Sequence, residues 1–248
     1  MKDVRNSWLF KVPVAHRGLW DENAPENTKT AFRQAIDLGY AIEIDVQMTL
    51  DRELVVVHDE NMSRIFGIDK DIRDLNYSDI KDLVPFGKND KIMTFKEFLA
   101  FVDGKTPILI EVKPAKQKGI SQLVVEQLKD YKGEVAIQSF NPFIINTIYK
   151  IAPKYLLGVI CSMEEWPHIK WIVRKYLQSL IFRFHTKFDF LSIRATDISK
   201  YGKKALKYPI ISWTIRTEED LKCAEKYAGN IIFEKPVPSL SRFGEKKW

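Results

Sequence analysis

Short runs of aliphatic and β-branched residues recur along this chain, and most are followed by a segment whose apolar residues repeat at helical spacing. This pattern predicts strands that alternate with helices. We predict eight strands, at residues 12–15, 41–46, 107–112, 134–139, 155–160, 190–193, 210–214 and 230–233. Eight strand-helix units in 248 residues favour an α/β fold closed as a (β/α)₈ TIM barrel over an open doubly wound sheet.

Helix start signals agree with this alternation. Asn27 is predicted to cap the first helix, and the spacing of Thr94 and Glu97 is that of a capping box. Asn141 followed by Pro142 has the sequence of a capped helix with proline at its first position. The helices therefore begin where the strand pattern requires them.

Two segments depart from the alternation. After the second strand, the pair Asp51-Arg52 separates two apolar runs, which predicts a β-hairpin with a two-residue turn. That register sets His58 opposite Asp45. The charged segment 60–91 shows little periodicity, so we predict a small insertion over the barrel mouth within a single domain spanning residues 1–248.

Carboxylates occur near the ends of two predicted strands. Glu43 and Asp45 share one face of the second strand, and Glu111 lies near the end of the third. Buried carboxylates repel one another, and oxygen ligands without cysteine suit one divalent cation, Mg²⁺ or Ca²⁺. The alternative is that they form outward salt bridges. With a metal site, we expect that removing one carboxylate leaves the metal-free protein at least as stable.

Two histidines and two cations are predicted to lie near these carboxylates. His16 ends the first strand and His58 ends the hairpin, so this pair suits general acid and base roles. Arg17 and Lys113 suit a phosphate group. The alternatives are packed histidines and surface salt bridges.

The composition is that of a folded protein with 45% hydrophobic residues and a net charge of +6. The positive charge suits an anionic substrate, but it is spread along the chain, so we predict no nucleic-acid partner. No apolar run is long enough to span a membrane, and the N-terminus lacks the apolar core of a secretory signal. A cytoplasmic location is therefore expected. Cys161 and Cys223 match no metal or redox spacing and are predicted to be reduced thiols.

The segment 166–185 is the most aromatic part of the chain. As one helix, it would present Trp171 and Phe182 outward among basic residues, which suits weak peripheral contact with an anionic membrane. Contact with a neighbouring helix or a second copy is the alternative, and no oligomeric state is specified. The face predicted to pack on the barrel consists of Ile169, Ile172, Val173, Tyr176, Leu177, Leu180, Ile181 and Phe184.

Seven short motifs occur in order over almost the whole chain. They are His16-Arg17-Gly18, Pro25-Glu26-Asn27-Thr28, Glu43-x-Asp45, Val56-Val57-His58-Asp59, Glu111-x-Lys113, Ser139-Phe140 and Trp213-Thr214. Their order and spacing resemble those of the glycerophosphodiester phosphodiesterase family. Two places differ from that family: the turn Asp51-Arg52 stands where Asp-Gly is typical, and Glu234-Lys235 stands where a Thr-Asp pair usually precedes the proline.

The resemblance implies a TIM barrel that hydrolyses small-molecule glycerophosphodiesters to glycerol 3-phosphate and an alcohol with Mg²⁺ or Ca²⁺. His16 and His58 would be the acid-base pair, and Arg17 and Lys113 would hold the phosphate. Gln138 and Trp213 would contact the glycerol or alcohol, or else pack in the core. The metal ligands would be Glu43, Asp45 and Glu111.

Two other functions remain alternatives from the sequence. One is a catalytically inactive barrel that serves as a binding module. The other is a related phospholipase that acts on intact lipid, such as phosphoinositides or sphingomyelin. Retention of both histidines and all three carboxylates argues against the inactive barrel, since an idle site has no physical reason to keep clustered like charges.

Overall fold

The fold follows from a computed structural model, which describes residues 4–163 and 171–240. Ten strands form one sheet. They are β1 (Val14–Ala15), β2 (Ala41–Met48), β3 (Leu54–Val56), β4 (Met93–Thr94), β5 (Ile108–Val112), β6 (Val135–Ser139), β7 (Leu156–Cys161), β8 (Phe190–Arg194), β9 (Ile210–Ile215) and β10 (Asn230–Phe233).

The strand order is β1-β10-β9-β8-β7-β6-β5-β2-β3-β4, and β1 also pairs with β2. Leaving aside β3 and β4, eight strands therefore close into a parallel barrel with helices between them. The predicted TIM barrel is confirmed, and its strands lie within two residues of the predicted bounds.

Nine α-helices lie in the described part of the chain. The predicted caps at Thr94 and Asn141 are confirmed, since Thr94 and Glu97 form a capping box and Asn141 accepts from the Phe143 amide at 2.9 Å. The helices are α1 (Lys29–Asp37), α2 (Ser63–Phe66), α3 (Tyr77–Ile80), α4 (Phe95–Val102), α5 (Ile120–Gln127), α6 (Pro142–Ile151), α7 (Trp171–Gln178), α8 (Ile198–Tyr201) and α9 (Glu218–Tyr227).

The described chain forms two compact units, one of residues 15–135 and one of residues 4–14, 136–163 and 171–240. In the first unit, β2 pairs in parallel with β5 and antiparallel with β3. In the second, β6, β7, β8, β9 and β10 run parallel in sequence order. The single domain over residues 1–248 stays a prediction.

The hairpin after β2 is present, but its predicted register is wrong by one residue. Val46 pairs with Val56, and the Val57 amide donates to the Asp45 carbonyl at 3.0 Å, so Val57 rather than His58 lies opposite Asp45. The cause is a three-residue turn that ends at Arg52, whose φ of 70° is left-handed. A left-handed residue in this position is typical of three-residue hairpins.

The insertion 60–91 consists of α2, α3 and short 3₁₀ turns built on their own apolar cluster. Strand β3 also pairs with β4, a short strand that the sequence pattern did not predict. The hairpin contributes to the same cluster as the insertion, so the two form one structural element. The buried members of the cluster are Val55, Val57, Met62, Ile65, Ile72, Ile80 and Ile92.

The prediction of one helix over 166–185 is wrong about which side chains face outward. Helix α7 ends at Gln178, and Leu180 takes a φ of 58°, so the following 3₁₀ turn, Ile181–Phe184, starts in a new direction. Phe182 is buried, whereas Trp171 and Phe184 are exposed. The expected outward position of Phe182 and the expected packing of Ile172, Val173, Ile181 and Phe184 are both wrong, and Ile169 lies outside the described residues.

Candidate active site

Three carboxylates lie together at the end of two neighbouring strands. Asp45 on β2 pairs with Glu111 on β5, and the pleat puts Glu43 on the same face as Asp45. All three side chains are buried, and one oxygen from each lies within 4.8 Å of the others. Among the described residues, this is the one group of three or more histidine, cysteine or acidic side chains with the spacing of a metal site.

Two cations lie against this cluster. Lys113 Nζ is 3.0 Å from Asp45 Oδ1 and 2.5 Å from Glu111 Oε1, so the ammonium group bridges both carboxylates. Arg17 Nε is 3.3 Å from the other oxygen of Asp45, and the Arg17 amide donates to Glu43 Oε2 at 3.1 Å. The two cations compensate much of the buried negative charge.

The turn after β1 brings Arg17 to this position. Arg17 and Gly18 both have positive φ, of 59° and 82°. A Cβ on Gly18 would lie 2.9 Å from the backbone of Ala31, closer than real side chains approach. Glycine is therefore required here both by conformation and by the nearness of α1.

The carboxylates differ in how this environment affects their protonation. Burial and the charges of Asp45 and Glu111 raise the pKa of Glu43 well above its usual value. Burial also acts to raise the pKa of Asp45, but Lys113 and the other nearby positive groups outweigh it and hold that pKa far below its usual range. Asp45 is therefore the firmly ionised member, whereas at Glu43 the charges of Arg17 and Lys113 do not outweigh burial and the two neighbouring carboxylates.

Asn27 belongs to the same cluster, which the sequence pattern missed. It was predicted to cap α1, but Thr28 is the cap, with its hydroxyl accepting from the Ala31 amide. Asn27 instead has a φ of 56° and donates from Nδ2 to Asp45 Oδ2 at 3.1 Å. Its Oδ1 is buried without a hydrogen-bond partner.

Both candidate histidines act electrostatically on Asp45, lowering its pKa. His16 is buried at the end of β1, and His58 follows the hairpin with Nδ1 2.7 Å from Asp59 Oδ1. Gln47 on β2 donates to the carbonyls of His58 and Asp59 at 2.9 and 2.8 Å, which fixes the backbone there.

An ion-pair network links His58 to the insertion. Arg64 donates to Asp59 at 2.7 and 3.0 Å and to both carboxylate oxygens of Glu26 at 2.8 and 3.0 Å. Glu26 in turn pairs with Arg17 at 2.7 Å. Against the effect of burial, the hydrogen bonds from His58 and then from Arg64 hold the pKa of Asp59 well below its usual range.

A cavity of about 450 Å³ opens beside His58. It lies between the hairpin end, the start of the insertion and Lys113 at the end of β5, all within the unit of residues 15–135. Only polar side chains line it, namely His58, Asp59, Glu60, Asn61, Ser63, Arg64 and Lys113.

Gln138 and Trp213 belong to the unit of residues 4–14, 136–163 and 171–240. Gln138 is buried on β6, with an Oε1 atom that has no hydrogen-bond partner. Trp213 on β9 donates from its indole nitrogen to the Ser192 carbonyl at 2.9 Å and meets the Phe140 ring edge-on at 5.5 Å. Contacts within this unit therefore position the indole ring.

The carboxylate cluster fits a divalent cation. Asp45 Oδ1 and Glu111 Oε1 are buried, and both contact a cation, the Lys113 ammonium, at 3.0 and 2.5 Å. An oxygen-only ligand set of this kind suits a hard ion such as Mg²⁺ or Ca²⁺. Glu43, Asp45 and Glu111 are the residues that would hold it.

Comparison with known proteins gives the family. Residues 16–233 match the model of the glycerophosphoryl diester phosphodiesterase family. The chain is 30% identical over 223 residues to a glycerophosphodiester phosphodiesterase of Caldanaerobacter subterraneus subsp. tengcongensis, covering 84% of this chain and 87% of that protein.

Solved structures share the fold. A glycerophosphodiester phosphodiesterase from Thermotoga maritima aligns with a TM-score of 0.69 and 26% identity, covering 90% of this chain and 95% of that one. An Oleispira antarctica phosphodiesterase, solved with the product sn-glycerol-3-phosphate, aligns with a TM-score of 0.70 and 22% identity, covering 90% of this chain and 92% of that one. The chain belongs to the glycerophosphoryl diester phosphodiesterase family.

Proposed function

We propose that this protein hydrolyses glycerophosphodiesters to glycerol 3-phosphate and an alcohol, with a divalent cation held by Glu43, Asp45 and Glu111. His16 and His58 would be the general acid and base. The proposal is supported chiefly by one observation: three buried carboxylates cluster in a chain of this family, and His16 and His58 are near enough to lower the pKa of Asp45.

The substrate phosphate is an anion, and this site offers it cations. Arg17 and Lys113 would hold its non-bridging oxygens, because guanidinium and ammonium groups are the usual phosphate partners. A bound cation would supply Lewis-acid stabilisation of the phosphoryl charge. Because such a cation would compensate Asp45 and Glu111, the Lys113 ammonium would be available to the phosphate.

The proton transfers would fall to the two histidines. Asp59 accepts from the His58 Nδ1 side, which leaves Nε2 as the nitrogen that exchanges a proton with the substrate. One imidazole would take the proton of the attacking glycerol 2-hydroxyl while the other protonates the leaving alcohol, and water would then open the resulting cyclic phosphate to glycerol 3-phosphate. The oxygen of that alcohol could not leave easily as an alkoxide, so protonation is required.

The polar cavity beside His58 supports a soluble diester as substrate. A leaving alcohol with hydroxyl or amino groups would find hydrogen-bonding partners there, including the Ser63 hydroxyl. An acyl chain would gain little from the same lining, because apolar surface is stabilised by apolar contact. This favours glycerophosphodiesters over an intact membrane lipid.

Product analysis tests the proposal. Glycerophosphoethanolamine, glycerophosphoglycerol, glycerophosphocholine and lysophosphatidylcholine are each incubated with the protein, with Mg²⁺, with Ca²⁺ and with EDTA. We expect glycerol 3-phosphate from the first three with a metal and none with EDTA. Undiminished turnover in EDTA contradicts the metal role, and cleavage of the lysolipid alone supports a lipid enzyme. Binding without any product supports an inactive module.

A further inference from the structure

Helix α7 and the 3₁₀ turn after it expose several large apolar side chains. Trp171 is 67% exposed and Phe184 70% exposed, and no residue of α7 is buried. An amphipathic helix normally covers its apolar side against the protein. These exposed apolar residues, which we together call the α7 patch, are Trp171, Ile172, Val173, Ile181 and Phe184.

The charged residues of this segment are all positive. Residues 171–188 contain four lysines and arginines and neither aspartate nor glutamate. In the described part of this segment, Lys175 is exposed on α7, and the Arg183 guanidinium lies 4.3 Å from the centre of the Phe184 ring. The patch therefore combines exposed aromatic and aliphatic side chains with a positive border.

We propose that the α7 patch docks the protein onto an anionic bilayer surface. Tryptophan and phenylalanine insert at the level of the lipid headgroups, and lysine and arginine pair with anionic headgroups while their carbon stems stay in the apolar zone. An anionic bilayer would therefore bind both the apolar and the basic side chains of the α7 patch. The proposal is independent of the reaction at the carboxylate site.

The charge argues against a second copy of this chain as the occupant. Two-fold pairing through the same patch would bring two borders of like charge together without any acidic residue from this segment to neutralise them. An anionic bilayer meets the same cations with opposite charge. The lipid surface is therefore the partner that the charge pattern favours.

The structure also determines which side chains to change. Phe182 is fully buried and packs against Phe188, with ring centres 5.8 Å apart, so its truncation would damage the core. Trp171 and Phe184 are the exposed aromatic residues of the patch. Phe143 on α6, which is 69% exposed, is a matched control because it is an equally exposed aromatic residue outside the patch.

Co-sedimentation with vesicles tests the proposal. The probes are vesicles of phosphatidylcholine alone and of phosphatidylcholine with phosphatidylglycerol, at low salt and at about 1 M salt, where the Debye length is about 3 Å. We expect the parent to bind the anionic vesicles at low salt only. The variant Trp171→Ser/Phe184→Ser should bind the anionic vesicles about tenfold more weakly than the parent. The control variant Phe143→Ser should bind them as the parent does.

A second variant and a mass measurement complete the test. Lys175→Glu should also weaken binding to anionic vesicles, and thermal unfolding should show all variants folded as the parent is. No binding of the parent to anionic vesicles at low salt overturns the proposal, as does equal binding by parent and double variant. A parent dimer that the double variant loses, seen by analytical ultracentrifugation, assigns the α7 patch to self-association and overturns it as well.

Discussion

His58 and Asp59 form a hydrogen-bonded pair, with 2.7 Å between Nδ1 and Oδ1, and Arg64 from the insertion holds the same carboxylate. A carboxylate in this position fixes the ring orientation and the tautomer of a histidine. The catalytic imidazole proposed above is therefore positioned by a residue outside the barrel strands.

Neutralising Asp59 should impair turnover without changing the fold. We expect Asp59→Asn to lower kcat by about 10²-fold or more, on the scale seen when the carboxylate behind a catalytic histidine is neutralised. Steady-state kinetics with a soluble glycerophosphodiester measures this. Asp82→Asn is the control, because Asp82 lies in the same insertion and its ion-pair partners in the described chain are the exposed Lys81 and Lys91. An unchanged kcat in Asp59→Asn would show that His58 does not depend on this contact.

The two carboxylates of β2 should respond differently to neutralisation in metal-free protein. Asp45→Asn takes from Lys113 and from Arg17 one of the two carboxylates that each cation contacts, which should cost about 1–3 kcal/mol of unfolding free energy. Glu43→Gln should change stability little, since the pKa of Glu43 is already raised well above its usual value. Urea denaturation in EDTA measures both.

Activity should fall in both of these variants once metal is restored, since each removes a proposed ligand. Equal stability losses for Glu43→Gln and Asp45→Asn would contradict the assignment of Asp45 as the ionised member of the cluster.

The two histidines should behave as one catalytic unit. We expect His16→Ala and His58→Ala each to lower kcat by about 10²–10⁴-fold. The double variant should be only slightly worse than either single one, because both residues act in one proton-transfer sequence. His185→Ala is the control, since His185 lies in the other unit. Full activity of His58→Ala beside an inactive His16→Ala would remove His58 from the mechanism.

The insertion should lose stability in acid through Asp71. Hydrogen bonds from Arg73 lower the pKa of Asp71 to about 2. A lowered pKa stabilises the folded state at pH values above the unfolded pKa of about 4, and this contribution disappears as the pH falls towards 2. Asp71→Asn should therefore be less stable than the parent by about 1–2 kcal/mol at pH 7, and the difference should shrink below about pH 4.

Denaturation at a series of pH values measures this difference, with Asp130→Asn, at an exposed position, as control. A difference between Asp71→Asn and the parent that stays constant from pH 7 to pH 3 would contradict the role of the Arg73 contact.

The barrel and the carboxylate cluster were predictable because both follow from strict periodicities. The two-residue repeat of a strand puts Glu43 and Asp45 on one face, and the alternation of strands with helices gives the eight parallel strands. The hairpin register was not predictable from the turn residues. It depends on Arg52 adopting a left-handed conformation, which arginine does rarely and for which its side chain gives no signal.

The rest of the site depends on contacts between distant segments. Asn27 had the sequence signal of a helix cap, and only the three-dimensional arrangement directs it to Asp45. Arg64 lies in an insertion without periodic pattern, so nothing local indicated its contacts with Glu26 and Asp59. The bridging position of Lys113 was missed too, and with it the reason why removing Asp45 should destabilise the protein.

The apolar cluster shared by the hairpin and the insertion has a consequence for heat inactivation. Val57 belongs to that cluster and precedes His58 directly in the chain. Local opening of the insertion therefore displaces the imidazole of His58 while the barrel strands stay paired. Catalysis should cease at a lower temperature than the one at which the barrel melts. Amide hydrogens of α2 and α3 should exchange with solvent deuterium in the same range of temperature in which turnover is lost.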